Sequence, residues 1–340
     1  LLVIDKPSGP TSHDVVARLR RALREKRIGH TGTLDPMATG VLALVIGRAT
    51  RLAQFLGADE KSYDARIRLG QRTDTYDAQG TPIGDAVSGP WPSMAEVEAA
   101  LTPFRGTFLQ QPPAYSAKKI AGQRAYVLAR ARRRATAGVP SGETPLPGSP
   151  GLSAAPGAPG PPALPGLPGL PAPVPVTVHE CHVTGCADGF VDLSLTVSAG
   201  FYVRSLAHDL GERLGLGAHL AALRRTRSGA ASLAEALPLA TIEQNPARAI
   251  EALMPMARML PHLPAVMLTD VGARRAGHGM RLGQTDFVDP KFVSGAGAVR
   301  RLQLLSPAGS LLGIAVRVDA DADADDLMIA TWQPVVVLSQ

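Results

Sequence analysis

Gly29-His-Thr-Gly-Thr-Leu-Asp-Pro-Met-Ala-Thr-Gly40 runs straight into the apolar segment 41–46, Val-Leu-Ala-Leu-Val-Ile. A run of that kind belongs in a core. One acid, Asp35, is thereby held at the mouth of a buried element. Pro36 restricts the backbone after it, and Gly29, Gly32 and Gly40 admit close approach. The loop reads as an active site. A phosphate-cradling loop would need Gly-x-x-x-x-Gly-Lys followed by Ser or Thr, and no such lysine is present. A phosphoryl-accepting Asp-x-Asp-x-Thr loop would need a second acid where Met37 stands. A capping aspartate in a glycine-rich turn is equally compatible with the spacing taken alone.

Working outward, Ser12 is read as the cap of a helix over 12–24, because Val15, Val16, Leu19 and Leu23 recur at helical spacing. Residues 39–56 are also predicted helical. Residues 63–69 are predicted as a strand alternating at Ala65, Ile67 and Leu69, and 93–101 as a capped helix. Further on, 176–183 and 191–197 alternate as strands, and 202–214 carries Leu206, Leu210 and Leu214 every fourth residue as a helix. Strands and helices interleaved this irregularly imply a mixed sheet layered with helices.

The chain has 340 residues, enough for about two domains. Its 35 Lys plus Arg exceed its 29 Asp plus Glu, for a formal charge of +6. The excess clusters at Arg18, Arg20, Arg21, Arg24, Lys26 and Arg27, at 130–134 and at 224–227. Clusters of this kind fit contact with a nucleic-acid backbone.

Between 140 and 175 there are thirteen prolines, seven glycines and a single charged residue, Glu143. Such a composition cannot pack, so an insertion at about 136–175 is expected to be a disordered tether interrupting one domain. From 263 onward, short strands around 299–305, 311–318 and 335–338 mark a small β domain, dividing the chain into 1–262 and 263–340. Cys181 and Cys186 are too few for a disulfide framework. His179 and His182 fall on opposite faces of a strand, which argues against zinc. Asp319, Asp321 and Asp323 imitate the start of a calcium loop, but Ala324 and Ala330 stand where Gly and Glu are needed. Leu1-Leu-Val-Ile is broken at once by Asp5 and Lys6, so neither a signal peptide nor a membrane partner is expected. The cytoplasm is the expected compartment.

The Asp35 loop is one of several ordered blocks. The others are Asp5-Lys-Pro-Ser-Gly-Pro-Thr-Ser12, Lys61-Ser-Tyr63, Leu69-Gly-Gln-Arg-Thr-Asp-Thr-Tyr-Asp77, Gln111-Pro-Pro-Ala-Tyr-Ser-Ala-Lys118, Gly200-Phe-Tyr-Val-Arg-Ser205 and Leu223-Arg-Arg-Thr226. In order and approximate spacing they resemble the bacterial TruB family of tRNA pseudouridine synthases. The resemblance is strong from residue 1 to about 229, apart from the insertion, and weaker beyond. It implies an α+β pseudouridine synthase fold, with a mixed, largely antiparallel sheet flanked by helices and a small β-rich C-terminal PUA-like RNA-binding domain. It also implies isomerisation of the T-loop uridine at position 55 by a monomer that binds the tRNA T stem-loop. A non-catalytic tRNA-folding module on the same fold is the alternative.

Turning uridine into pseudouridine breaks the N-glycosidic bond, rotates the base and joins C5 to the sugar, with no net redox change, so no cofactor is called for. The reaction does need a carboxylate beside sugar and base. The resemblance assigns that role to Asp35, with Arg204 as its charge partner, Asp77 holding Arg204, and Tyr63 stacking on the target base and helping to remove the C5 proton. By the same resemblance, His30 takes the place of the flipped base, Leu223 lines an apolar pocket, and Lys6-Pro7 is architectural. Residues 110–134, with Lys118, Lys119 and Arg124, close over the RNA loop. Aromatic residues make up only 4% of the chain, yet Tyr63, Tyr76, Tyr115, Tyr126 and Tyr202 all lie in the inferred catalytic half. Base stacking gives them a reason, and Tyr202 is counted among the substrate-binding residues.

Overall fold

The computed structural model describes residues 1–57, 59–115, 119–120, 123–124, 171–291, 299–318 and 331–338. Tyr126, Lys118, the arginines at 130–134, most of the proline-rich insertion and the acidic turn at 319–323 lie outside these residues. The chain forms two compact units, Leu1–Tyr63 with Arg224–Gln340, and Asp64–Leu223.

In the first unit, Thr11 rather than Ser12 caps the helix Ser12–Leu23. Its side chain accepts from the Asp14 amide while the Asp14 carboxylate accepts from the Thr11 amide, closing a capping box. Val15, Val16 and Leu19 are buried on one face.

Thr39–Ile46 is a strand, not the start of a helix over 39–56. Only Gly47–Leu52, as a 3-10 turn, and the four residues Ala53–Leu56 are helical in that stretch. Gly40 through Val45 are all buried, so the strand is covered on both faces and its letters form a continuous apolar run. Alternation, the usual mark of a strand, is lost under these conditions.

Thr39–Ile46 pairs antiparallel with Leu2–Lys6 and with Ile28–His30, and parallel with Arg224 and Arg225. Leu237–Pro238 adds a parallel partner beyond Leu2–Lys6. Val3, Val41, Ala43 and Val45 pack with Leu52, Met259 and Leu260, with Leu311, Ile314 and Val336 of a C-terminal four-stranded sheet, and with Leu338 just after it. Each fully buried Val or Leu of this kind contributes about 1.5–3 kcal/mol.

The C-terminal sheet runs Ala265–Met267, Arg301–Leu305, Leu311–Val318, Thr331–Val337. It carries a second cluster around Val266, Leu268, Phe287 and Trp332 on its other side. Among its strands, Leu311–Val318 matches the sequence reading in both bounds.

The strand Lys61–Leu69 begins in the first unit and runs into the second from Asp64, and beside it Phe190–Val197, Val174–Ala187 and Gly106–Gln110 follow one another in that order. Phe190–Val197 buries alternate residues, as its letters predict. Val174–Ala187 is antiparallel to both of its neighbours and begins two residues earlier than expected, because Val174 and Pro175 already pair with Gln110 and Leu109. Met94–Leu101 is capped by a Ser93–Glu96 box, and Val203–Arg213 buries Leu206 and Leu210.

Candidate active site

Asp35 sits half-buried between two buried neighbours, Leu34 and Ala38. The loop that carries it is tied down on every side through its main chain. The Ser12 hydroxyl accepts from the Leu34 amide (2.8 Å) and donates to the Leu34 carbonyl (3.0 Å). After the acid, the Ala38 amide closes a turn onto the Asp35 carbonyl (3.1 Å), with Pro36 supplying the restricted φ that such a turn wants. Lys6, wholly buried, points its ammonium into this turn and donates to the carbonyls of Ala38 (2.7 Å), Pro7 (2.9 Å) and Pro36 (3.1 Å).

Arg225 is 1% exposed and donates to the carbonyls of Val41 (2.7 Å), Gly32 (3.1 Å) and Thr33 (3.3 Å). Burial pushes the Lys6 amine down to about 8; the charge of Asp35 works against that shift and the charge of Arg225 adds to it. Lys61 is likewise lowered to about 8 by burial and by Arg225, against a smaller opposing effect of Asp59. Its ammonium donates to the carbonyls of Asp59 (2.6 Å) and Gly57 (3.3 Å).

Tyr63 is buried on the inward face of its strand with Ala65, Ile67 and Leu69. His30 ends the strand Ile28–His30 and meets His13 edge to face, with ring centroids 5.3 Å apart. Asp35, Tyr63 and His30 thus belong to the first unit, and Arg204, Asp77, Tyr202 and Leu223 to the second.

There, Arg204 and Asp77 form a buried ion pair (3.7 Å). The Arg204 guanidinium also donates to the carbonyls of Tyr115 (2.8 Å) and Thr75 (3.2 Å). Asp77 is itself fixed, accepting from the Thr75 hydroxyl (2.6 Å) and the Gln79 amide (3.0 Å). Tyr76 just before it has φ 64° and lies flat on His208, centroids 4.0 Å apart. Tyr202 is held by Gln110, which accepts from its amide (2.8 Å) and donates to its carbonyl (3.0 Å). Leu223 is buried on the strand Ala218–Ser228.

Two sequence readings change. The arginines at 224–227 do not form a free basic patch: Arg224 pairs with Asp5 (2.8 Å), Arg225 is buried, and Arg227 reaches Glu60 (3.4 Å). Consecutive strand residues point to alternate faces, so a run of cations cannot share one surface. At the other cluster, Arg18 makes a bidentate pair with Glu243 and Arg20 caps the Ile28 carbonyl, leaving Arg21, Arg24, Lys26 and Arg27 exposed. The structural parts played by Ser12, Arg225 and Gln110 went unrecognised in the sequence, because each acts on a backbone atom and no residue pattern marks such an acceptor. No helix among the described residues is long and apolar enough to cross a membrane.

The chain is similar to known proteins in sequence and in fold. A model of the TruB family pseudouridylate synthase N-terminal domain matches residues 20–138, and one of the tRNA pseudouridylate synthase B C-terminal domain matches 204–260. The chain is 40% identical over 281 residues to tRNA pseudouridine synthase B of Solibacter usitatus, covering 82% of this chain and 84% of that one. It is 39% identical over 324 residues to the protein of the same name from Thermobifida fusca, covering 93% of each. Its fold matches a chain of an H/ACA ribonucleoprotein bound to a substrate RNA containing 2'-deoxyuridine, with a TM-score of 0.67 and 22% identity, covering 100% of this chain and 84% of that one.

Proposed function

The chain belongs to the TruB family of pseudouridylate synthases, an isomerase that makes pseudouridine in tRNA, and from that premise we propose that it acts on the T-loop uridine at position 55 through Asp35. The observation that carries this reading is the immobilised loop. A half-exposed carboxylate stands on a main chain fastened by Ser12, Lys6 and Arg225, so the backbone that bears it is set before any substrate arrives. Preorganisation of this kind lowers the barrier because the enzyme does not have to reorient the charge during the reaction.

The uridine is flipped from the T loop at a cost of a few kcal/mol, which stacking surfaces offset. His30, steadied by His13, fills the vacated place, and Tyr63 stacks on the extruded uracil. Asp35 meets the junction of ribose and base while the N1–C1′ bond breaks. The base rotates, C5 bonds to C1′, the C5 proton leaves with help from Tyr63, and N1 gains a proton. Arg204, ordered by Asp77, takes a catalytic role, and Leu223 and Tyr202 bind substrate, each on its place in the family's sequence blocks. Exposed Arg21, Arg24, Lys26 and Arg27 supply phosphate contacts, with Lys118 as a further one, and the C-terminal sheet serves as a PUA-like RNA-binding domain.

Asp35→Asn tests the assignment. Carbodiimide labelling and mass spectrometry of a tRNA transcript are expected to detect no pseudouridine, while filter binding shows normal tRNA affinity. Turnover by the variant would refute the role of Asp35.

A further inference from the structure

We infer that Arg225 is a positioning residue for catalysis, a buried clasp that closes the neck of the Asp35 loop through main-chain carbonyls on both sides of the acid. The inference rests on Asp35 being the catalytic carboxylate. Before the acid, the guanidinium holds the Gly32 and Thr33 carbonyls; after it, the Val41 carbonyl. The main chain of Arg225 does the same, lying parallel to Gly40 so closely that only glycine fits there. Residues 32 and 41 are thus joined by one planar fork, with Asp35 on the hoop between them.

Among the described residues the guanidinium has no carboxylate within ion-pair distance and is 1% exposed, so it is placed neither as a surface ion pair nor as an RNA contact. A buried cation held only by carbonyls is an expensive way to pack a strand, and an apolar side chain would serve the core as well. What a guanidinium offers beyond an apolar group is a rigid fork that fixes several acceptors at once.

Its charge is also felt nearby. Burial lowers the proton affinity of Lys6 inside the hoop and of Lys61 beside Gly32, and the charge of Arg225 adds to both shifts, opposed by Asp35 at Lys6 and by Asp59 at Lys61. The Asp5–Arg224 ion pair is carried on the same two strands.

Two full-length variants test this, with single-turnover rates on a tRNA transcript and kcat and KM measured from pH 6.5 to 9.5. Arg225→Lys keeps the charge and the apolar stem but cannot span the neck; Arg225→Gln removes the charge. Both are expected to lower kcat at least about tenfold, as displacement of a reacting group does, with KM for tRNA within about twofold of wild type. The alkaline limb of kcat, where Lys6 gives up its proton, is expected to stay in place in the Lys variant. It should move upward in the Gln variant, which has lost the charge that opposed protonation.

A wild-type rate in folded Arg225→Lys overturns the inference. So does a loss of rate matched by an equal loss of tRNA binding, or a Lys variant that does not fold, since either outcome makes Arg225 a binding or core residue only. Asp35→Asn is run alongside. If that variant turns over, the reading of Asp35 fails; if it is dead while Arg225→Lys is normal, only the positioning role fails.

Discussion

Replacing Gly40 by alanine probes how tightly the Asp35 loop is closed at its neck. Gly40 has φ +95°, and a Cβ there would overlap the Arg225 carbonyl oxygen and lie 2.9 Å from the Arg225 amide nitrogen. Both are backbone atoms inside a sheet and cannot swing away. Gly9 supplies the control: its φ is +108°, and nothing lies within 4 Å of the added carbon. Both alanine variants therefore carry a similar conformational cost, about 1–3 kcal/mol for a side chain forced into such a region. Gly40→Ala alone also carries the overlap with Arg225, a further 1–3 kcal/mol or so by the cost of overpacking a core. The expected difference between the two variants is about 2 kcal/mol, worth roughly 3 °C in Tm for a chain of 340 residues. Far-UV circular dichroism on heating reads Tm, and urea titration at fixed temperature checks the free energy. Gly40→Ala should also lose turnover beyond its loss of stability, because the overlap displaces one end of the hoop bearing Asp35. A Gly40→Ala protein within about 0.5 kcal/mol of Gly9→Ala, turning over at the wild-type rate, would show that the neck is loose and the reasoning wrong.

Lys6 and Lys61 set a dependence on pH in which stability and activity move in opposite directions. The folded amines titrate near 8 and the unfolded ones near 10.5, so between those values the unfolded chain holds more protons and stability rises with pH. The rise is at most about 1.4 kcal/mol per pH unit for each lysine. Turnover should fall over the same window as Lys6 loses a donor to the turn after Asp35, and urea midpoints that fall together with kcat above pH 8 would contradict this. For Asp77→Asn, which leaves Arg204 its carbonyl partners but removes its counter-charge, kcat is expected to drop at least about tenfold while tRNA binding holds; an unchanged kcat in single-turnover assays would exclude the ion pair from catalysis. Asp209 is pushed up to about 7 by burial and by Glu212. The native state therefore holds a proton that the unfolded state releases between about pH 4 and 7, and stability falls as pH rises through that range. Asp209→Asn should flatten that slope and raise Tm at pH 8, which calorimetry at pH 5 and pH 8 would test.

Local signals were legible in the letters. The helix Ser12–Leu23 follows from Val15, Val16 and Leu19 one turn apart, and Met94–Leu101 from Ser93 and Glu96, which satisfy each other's backbone amides. Strand Phe190–Val197 follows from strict alternation, and the Asp35 loop from its glycines and its ordered neighbours. Each of these depends on contacts within a few residues, so the pattern contains its own cause. Thr39–Ile46 was misread because a strand buried on both faces loses the alternation that would identify it, and only its neighbours in the sheet decide that it is extended. The basic run at 224–227 was misread for a related reason: the strand sends Arg225 inward and Arg224 and Arg227 to acids distant in sequence. By itself, then, the order of residues singled out Asp35 as the acid proposed for the chemistry and marked most of the segments that form regular structure. Tertiary structure decided what holds that acid still, because Lys6, Ser12 and Arg225 grip carbonyl and amide groups that every residue possesses, and only the fold determines which of them come within reach.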